Sequence, residues 1–265
     1  MKKTLLRSVR LALGIIAALA LPGCLQNETS VTLNKDGSGT VVEETFLGAQ
    51  MLAMMPQFSQ PGAPDPIKEM FSDEKAKDKA AQMGKGVEYV KTELVDENGK
   101  KGARVHYKFA DINTLELNAG GVMDDLANQA PAPAKPKKEK QPLKFSYADG
   151  KLEILIPPTN YEELELPEEQ QNPQMEAMMT QMMADMRFSI SLTITDGVKD
   201  TNASFHDGDK ITLMDVQMGK VFAQKDKLKN IAEKAKTDEA AAKKEFSKLD
   251  GVKFETNEKV VVEVN

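Results

Sequence analysis

Ser30-Val-Thr-Leu33, Asn34-Lys35-Asp36-Gly37-Ser38-Gly39 and Thr40-Val-Val-Glu-Glu-Thr-Phe-Leu47 follow one another without a break. Two runs rich in Val and Thr flank a turn, and its Asp-Gly step supplies the positive φ that a tight hairpin needs. This stretch predicts an antiparallel β-hairpin and sets the pattern for the rest of the chain.

The same grammar recurs downstream. Val87–Val95 and Ala103–Phe109 read as strands joined through Asn98-Gly99. In the second, Ala103, Val105, Tyr107 and Phe109 share one face, while Arg104, His106 and Lys108 share the other. Leu143–Ala148 and Lys151–Ile156 form a hairpin across Asp149-Gly150. Phe188, Ile190, Leu192 and Ile194 alternate with Ser189, Ser191, Thr193 and Thr195, the period of a half-buried strand. Strands at Thr201–Phe205 and Lys210–Val216 follow, and Val252–Glu255 with Lys259–Val264 read as a closing hairpin. Helices are expected over Ala49–Met55, over Ile67–Met83 with a break near Ser72, and over Pro173–Met186. Two more run through Val221, Leu228, Ile231 and Ala235, and from Thr237 towards Asp250-Gly251. Hairpins interleaved with helices, without long βαβ runs, predict an α+β protein: antiparallel hairpins in one or two sheets with several packed helices.

The low-complexity stretch from Ala130 to Pro142, APAPAKPKKEKQP, has no apolar period and reads as an exposed linker. The expected organisation is a leader over residues 1–23, a tether over 24–29, an N-terminal α+β part over 30–129, the linker over 130–142 and a C-terminal α+β part over 143–265.

The leader carries Lys2, Lys3, Arg7 and Arg10 and no acid, followed by the apolar run Leu11–Leu21. A basic start, a short apolar core and small residues at its end form an export signal. The run is about half the ~20 residues that a membrane-spanning helix needs. Two cleavage readings compete. Ala18-Leu19-Ala20 fits ordinary secretory processing and a released protein. Leu21-Pro22-Gly23-Cys24 resembles the lipobox of bacterial lipoproteins, with Pro22 departing from the usual small or branched residue. That resemblance implies cleavage between Gly23 and Cys24, acyl chains on Cys24, and membrane attachment through them. Two or more chains hold a protein stably where one does not. Leu25, rather than the Asp common after the cysteine of inner-membrane lipoproteins, implies the outer membrane. Cys24 is the chain's single cysteine, so no internal disulfide exists.

Removing the leader's four basic residues from a net charge of −6 leaves −10. An acidic body argues against nucleic acid and against electrostatic adhesion to anionic lipid. Trp is absent, and 15 Met outnumber 10 Phe, so apolar contacts should be adaptable rather than ring-stacked.

One feature invites chemistry. Met175, Met178, Met179, Met182, Met183 and Met186 fall at helical spacing and form a thioether stripe. One reading is a core- or partner-facing surface, or a groove for an apolar ligand, to which Met51, Met54 and Met55 would add. The other is Cu(I) or Ag(I) handling, since soft thioethers select soft metals. His106 on a polar strand face and His206 in a turn read as ordinary surface residues. No P-loop, Gly-x-Ser-x-Gly, His-Glu-x-x-His or dinucleotide fingerprint is present, so no catalytic residue and no cofactor is expected. Asn34-x-Asp36-Gly37 and Asp207-x-Asp209 lack the spacing of calcium loops and read as turns.

Asp36-Gly37-Ser-Gly after the anchor, Val105-His-Tyr-Lys-Phe-Ala-Asp-Ile112 and the closing hairpin resemble bacterial envelope lipoproteins, with a fainter likeness to the LppM-type lipoprotein domain. These resemblances imply no activity. The expected function is a lipid-anchored, non-enzymatic envelope module binding a protein or apolar ligand. The alternatives are Cu(I)/Ag(I) handling through the Met-rich helix, or a hydrolase without a sequence signature.

Overall fold

The computed structural model describes residues 25–54, 65–97, 100–118, 141–158 and 183–265. The opening hairpin is there and is longer than expected. β1 (Leu25–Leu33) and β2 (Gly39–Leu47) pair antiparallel from Leu25↔Leu47 to Leu33↔Gly39. Gly37 takes φ +86°, and the Asp36 carboxylate accepts from the Ser38 amide and hydroxyl, an Asx-type closure of the turn. Residues 25–29, expected as a tether, are strand. Leu25, Asn27 and Thr29 extend the buried alternation of Val31 and Leu33, because each faces an inward residue of β2: Leu47, Thr45 and Glu43.

The first sheet also contains β3 (Val87–Glu97), β4 (Lys100–Phe109), β8 (Arg187–Ile194), β10 (His206–Asp207), β11 (Lys210–Gln217) and β12 (Val252–Phe254). Its order is β10-β11-β8-β1-β2-β4-β3, with β12 also on β11. The second sheet contains β5 (Glu116–Leu117), β6 (Leu143–Ala148), β7 (Lys151–Leu155), β9 (Val198–Thr201) and β13 (Lys259–Val264), in the order β5-β6-β7-β13-β9. The expected faces of β4 hold, with Ala103, Val105, Tyr107 and Phe109 buried. The β6–β7 turn places Asp149 at φ 50° and Gly150 at φ 74°, the twist that two-residue hairpins require.

Long-range pairing corrects the expected pattern in three places. β1 and β8 are parallel, in register from Gln26↔Arg187 to Leu33↔Ile194. Residues 130–140 of the expected linker lie outside the described residues, and strands from either side of it pair: β1 meets β8 in one sheet and β5 meets β6 in the other. The strand expected at Thr201–Phe205 is instead β9, entered directly from Gly197 at φ +90°.

The closing pair is not a hairpin, since β12 joins the edge of the first sheet and β13 lies between β7 and β9 in the second. Thr256-Asn257-Glu258 has no turn glycine, and Glu255, fully buried, holds the chain where it changes sheets. Its carboxylate accepts from the Ser204 amide (2.6 Å), the Ser204 hydroxyl (2.8 Å) and the Asn257 amide (2.8 Å). Residues 202–205 cross between the sheets at the same corner: the Asn202 amide bonds Val261 and the Phe205 carbonyl accepts from Thr212.

The inner faces of both sheets share one core. Val31, Leu33, Val41, Val105, Tyr107, Ile190, Leu192 and Ile194 from the first meet Phe145, Leu152, Ile154, Val260 and Val262 from the second. Sheet outweighs helix, so α+β holds only in its coarse sense, as two sheets with short helices. The expected break at Ser72 separates α2 (Pro66–Met70) from α3 (Asp73–Gln82), and α1 (Ala49–Met54) precedes them. α4 (Met218–Phe222), α5 (Lys225–Ala235) and α6 (Glu239–Phe246) gather Val221, Leu228, Ile231 and Phe246 around Val216 and Val252.

A methionine-rich end of the first sheet

Cys24, Gly23, Met175, Met178, Met179 and Met182 lie outside the described residues, as do Met55 and the acidic run near residue 165. Met183 and Met186 are placed, and the stripe does not run on through both. Residues 184–186 turn, the Met186 amide donates to the Met183 carbonyl (3.1 Å), and β8 starts at Arg187. Strand pairing of Arg187 with Gln26 and Gln217 ends the helical period before Met186.

Both methionines nevertheless reach one apolar cluster. Met186, Leu25, Leu47 and Ile67 are its buried centre; Met51, Met70, Met183, Phe188 and Met218 pack around it, half-buried. Five methionines thus arrive from α1, α2, the 183–186 turn and α4. The turn and α4 approach closely. The Met218 amide donates to the Met186 carbonyl (2.8 Å), and a Cβ on Gly219 would lie 2.0 Å from the Ala184 carbonyl oxygen. Only glycine admits that approach. An unbranched thioether fills such an irregular junction between short elements better than a stiff branched side chain.

A polar band separates this cluster from the main core on the inner face of β1 and β2. Asn27 Nδ2 donates to Thr45 Oγ1 (2.9 Å), and both residues are buried. One pair further along, Glu43 is buried and meets Lys79 of α3 at 2.9 Å. Buried polar groups persist when partnered, and here they interrupt an apolar face that would otherwise be continuous. The sequence reading missed this band, because Asn27 fell in the expected tether and Glu43 in a Val/Thr-rich run. A length match between β1 and β2 was the available signal.

Three ion pairs stand near the methionine end. Arg187 holds Asp215 with two bonds, 2.8 and 2.9 Å, and this carboxylate raises the guanidinium's already high proton affinity. Lys101 meets Asp96 at 3.0 Å, and Lys220 meets Asp250 at 3.8 Å.

The opposite end of the sheet is different. Tyr147 donates from its hydroxyl to the Lys35 carbonyl (3.1 Å). Its phenol is pushed above the ordinary range, first by burial and then by Asp196 and Asp36. Asp111 caps the turn at Ile112–Thr114, whose Asn113 bonds the Tyr147 carbonyl.

The histidines are not brought together. His106 on β4 contacts Glu93 (3.2 Å); His206 is exposed on β10, with β2, β1, β8 and β11 between them. Glu93 is held below the usual carboxylate range by Lys91 first and His106 second. Among the described residues, no group of three or more His, Cys, Asp or Glu side chains is placed to hold a metal ion, and no helix is long and apolar enough to cross a membrane.

No protein-family model matches the chain, and no curated protein matches it. Among solved structures, the NMR structure of the folded domain of Mycobacterium tuberculosis LppM aligns with a TM-score of 0.32 and 11% identity, covering 76% of this chain and 88% of that one. At that distance the likeness carries no argument.

Proposed function

We propose that the protein is a lipid-anchored, non-enzymatic module of a bacterial cell envelope, held by acyl chains on Cys24 and binding a protein or an apolar ligand. The observation that carries this reading is Leu21-Pro22-Gly23-Cys24 at the end of a basic and then apolar leader, with no second cysteine in the chain. Leu25 in place of an acidic residue favours the outer membrane within that envelope. The acidic composition fits a body held by acyl chains rather than by surface charge. Growth with an alkyne-bearing palmitate analogue tests the anchor. The wild-type chain incorporates the label and sediments with membranes, and Cys24→Ser abolishes both. An unlabelled protein beginning upstream of Cys24 overturns the reading.

A second reading, Cu(I) or Ag(I) handling, is favoured by five methionines meeting around Leu25. Titration calorimetry with Ag(I) decides it: a saturable heat lost in a Met183→Leu, Met218→Leu double variant supports metal binding, and no saturable heat removes it.

A further inference from the structure

The methionine end has no slack between it and Cys24. Leu25 is the first residue of β1, is fully buried, and is in register with Leu47. Adjacent Cα atoms lie ~3.8 Å apart. Whatever holds Cys24 therefore holds this end of the sheet, because no tether intervenes.

What surrounds Leu25 suits a lipid surface. Met51, Met70, Met183, Phe188 and Met218 are apolar and only half-buried; on β1 and β2 the Asn27–Thr45 and Glu43–Lys79 band parts this end from the main core, although Phe71 touches both and Met183 and Met218 also pack on the cluster around Val221. An apolar patch of that kind, rimmed by charged residues, is the form that interaction surfaces take. Its rim carries both signs: Lys101–Asp96, Arg187–Asp215 and Lys220–Asp250 are opposite-sign pairs, and Asp65, Lys68, Glu69 and Asp185 lie on or beside the same elements. At the other end Asp36, Asp111, Asp149 and Asp196 gather in the turns around Tyr147, with Lys35 among them. A leaflet with anionic lipid repels that acidic end more than the end of mixed charge.

We propose that the Leu25 end of the first sheet is a bilayer-contact surface, seated at the headgroup–acyl boundary of a phospholipid leaflet, with the Asp36 end directed away from it. This inference rests on acylation of Cys24. It adds an orientation and a set of contact residues: Met51, Met70, Met183, Phe188 and Met218.

The chain has no Trp, so a single introduced Trp reports position without background. The full chain, made with its leader and purified from membranes, is reconstituted into vesicles of dibrominated phosphatidylcholine and phosphatidylglycerol. One variant carries Met218→Trp and the other Lys35→Trp. Mass spectrometry of the amino-terminal peptide first establishes whether Cys24 carries acyl chains; their absence overturns the anchoring reading itself. With the chains present, bromine should quench Met218→Trp roughly twofold or more above Lys35→Trp, since interfacial contact puts side chains ~5–10 Å into the boundary. Equal quenching, or stronger quenching of Lys35→Trp, overturns the orientation while leaving the anchor standing. An unquenched Met218→Trp whose emission shifts with protein concentration shows a second copy covering the patch, and also overturns it. Met183→Trp replaces Met218→Trp if circular dichroism shows that the latter has lost its sheet signal.

Discussion

At one end of β1, Leu25 lies among Leu47, Ile67 and Met186 with no exposed surface; at the other end of this nine-residue strand, Leu33 leads into a turn where Asp36, Asp196 and Tyr147 meet. The first end is held by apolar contact between short elements, with three ion pairs beside it. The second is held by hydrogen bonds from turn carboxylates and from one tyrosine. Burial is roughly proportional to area and indifferent to pH, whereas carboxylate-closed turns contribute little and titrate. The two ends of one sheet should therefore respond to different perturbations.

The largest effect is expected at Leu25. Leu25→Ala removes a fully buried side chain and should lower stability by ~2–5 kcal/mol, depending on how far the cluster collapses. Urea midpoints measure it, and a loss near zero would mean the methionine end does not hold the fold. At the opposite end, Gly39→Ala places a Cβ 2.0 Å from the Thr32 carbonyl oxygen and 2.5 Å from the Phe109 ring. That overpacking should cost ~1–3 kcal/mol, seen in the same denaturation assay.

Asn27→Ala tests the band between the two clusters. It takes the amide donor from the buried Thr45 hydroxyl, an expected loss of ~1–3 kcal/mol. Asn27→Ala,Thr45→Val should recover part of this loss by letting the apolar face run through. No recovery would show that the band is not merely a tolerated interruption.

Smaller again is Tyr147→Phe, which removes the bond to the Lys35 carbonyl and should cost ~0.5–1.5 kcal/mol near neutral pH. The sign of its pH dependence follows from the raised phenol. Tyr147 keeps its proton more tightly when folded, so its contribution is whole below the ordinary phenol range and is lost as pH rises through the folded value. Wild type should lose stability there more steeply than Tyr147→Phe.

Asp36 gives the smallest effect and the opposite sign. Bonds from the Ser38 hydroxyl and amide hold its carboxyl below the usual range. Its contribution is present above that range and disappears as pH falls through the folded value. Asp36→Asn should flatten the acid limb slightly, and carboxyl chemical shifts followed against pH would show the depressed titration directly.

Much of this molecule was legible residue by residue, where neighbours within a few positions decide the outcome. Asp36-Gly37, Asp149-Gly150 and Asp196-Gly197 place their turns, with glycines at φ +86°, +74° and +90°. The alternation in Ala103–Phe109 names the buried face of β4. Ser72 marks the break between α2 and α3, although its side chain makes no capping bond. The methionine end was half legible. The spacing of Met183 with Met186 suggested one face of one helix. The cluster instead draws methionines from four places in the chain, and Met186 reaches it from a turn.

By itself, then, the amino-acid order determined most of the hairpins and inward-facing residues, and it shows a basic and then apolar run ahead of Cys24. Those rest on local backbone preference and on a period of two. Only the tertiary structure decided that β1 begins at Leu25, that it runs parallel to β8, and that β12 and β13 part into different sheets around Glu255. Those outcomes depend on partners as distant as Ser30 and Ser191, 161 positions apart. Any of several Val-, Ile- and Thr-rich strands would satisfy the same alternation, so the choice among them falls to the core that all of them must fill together.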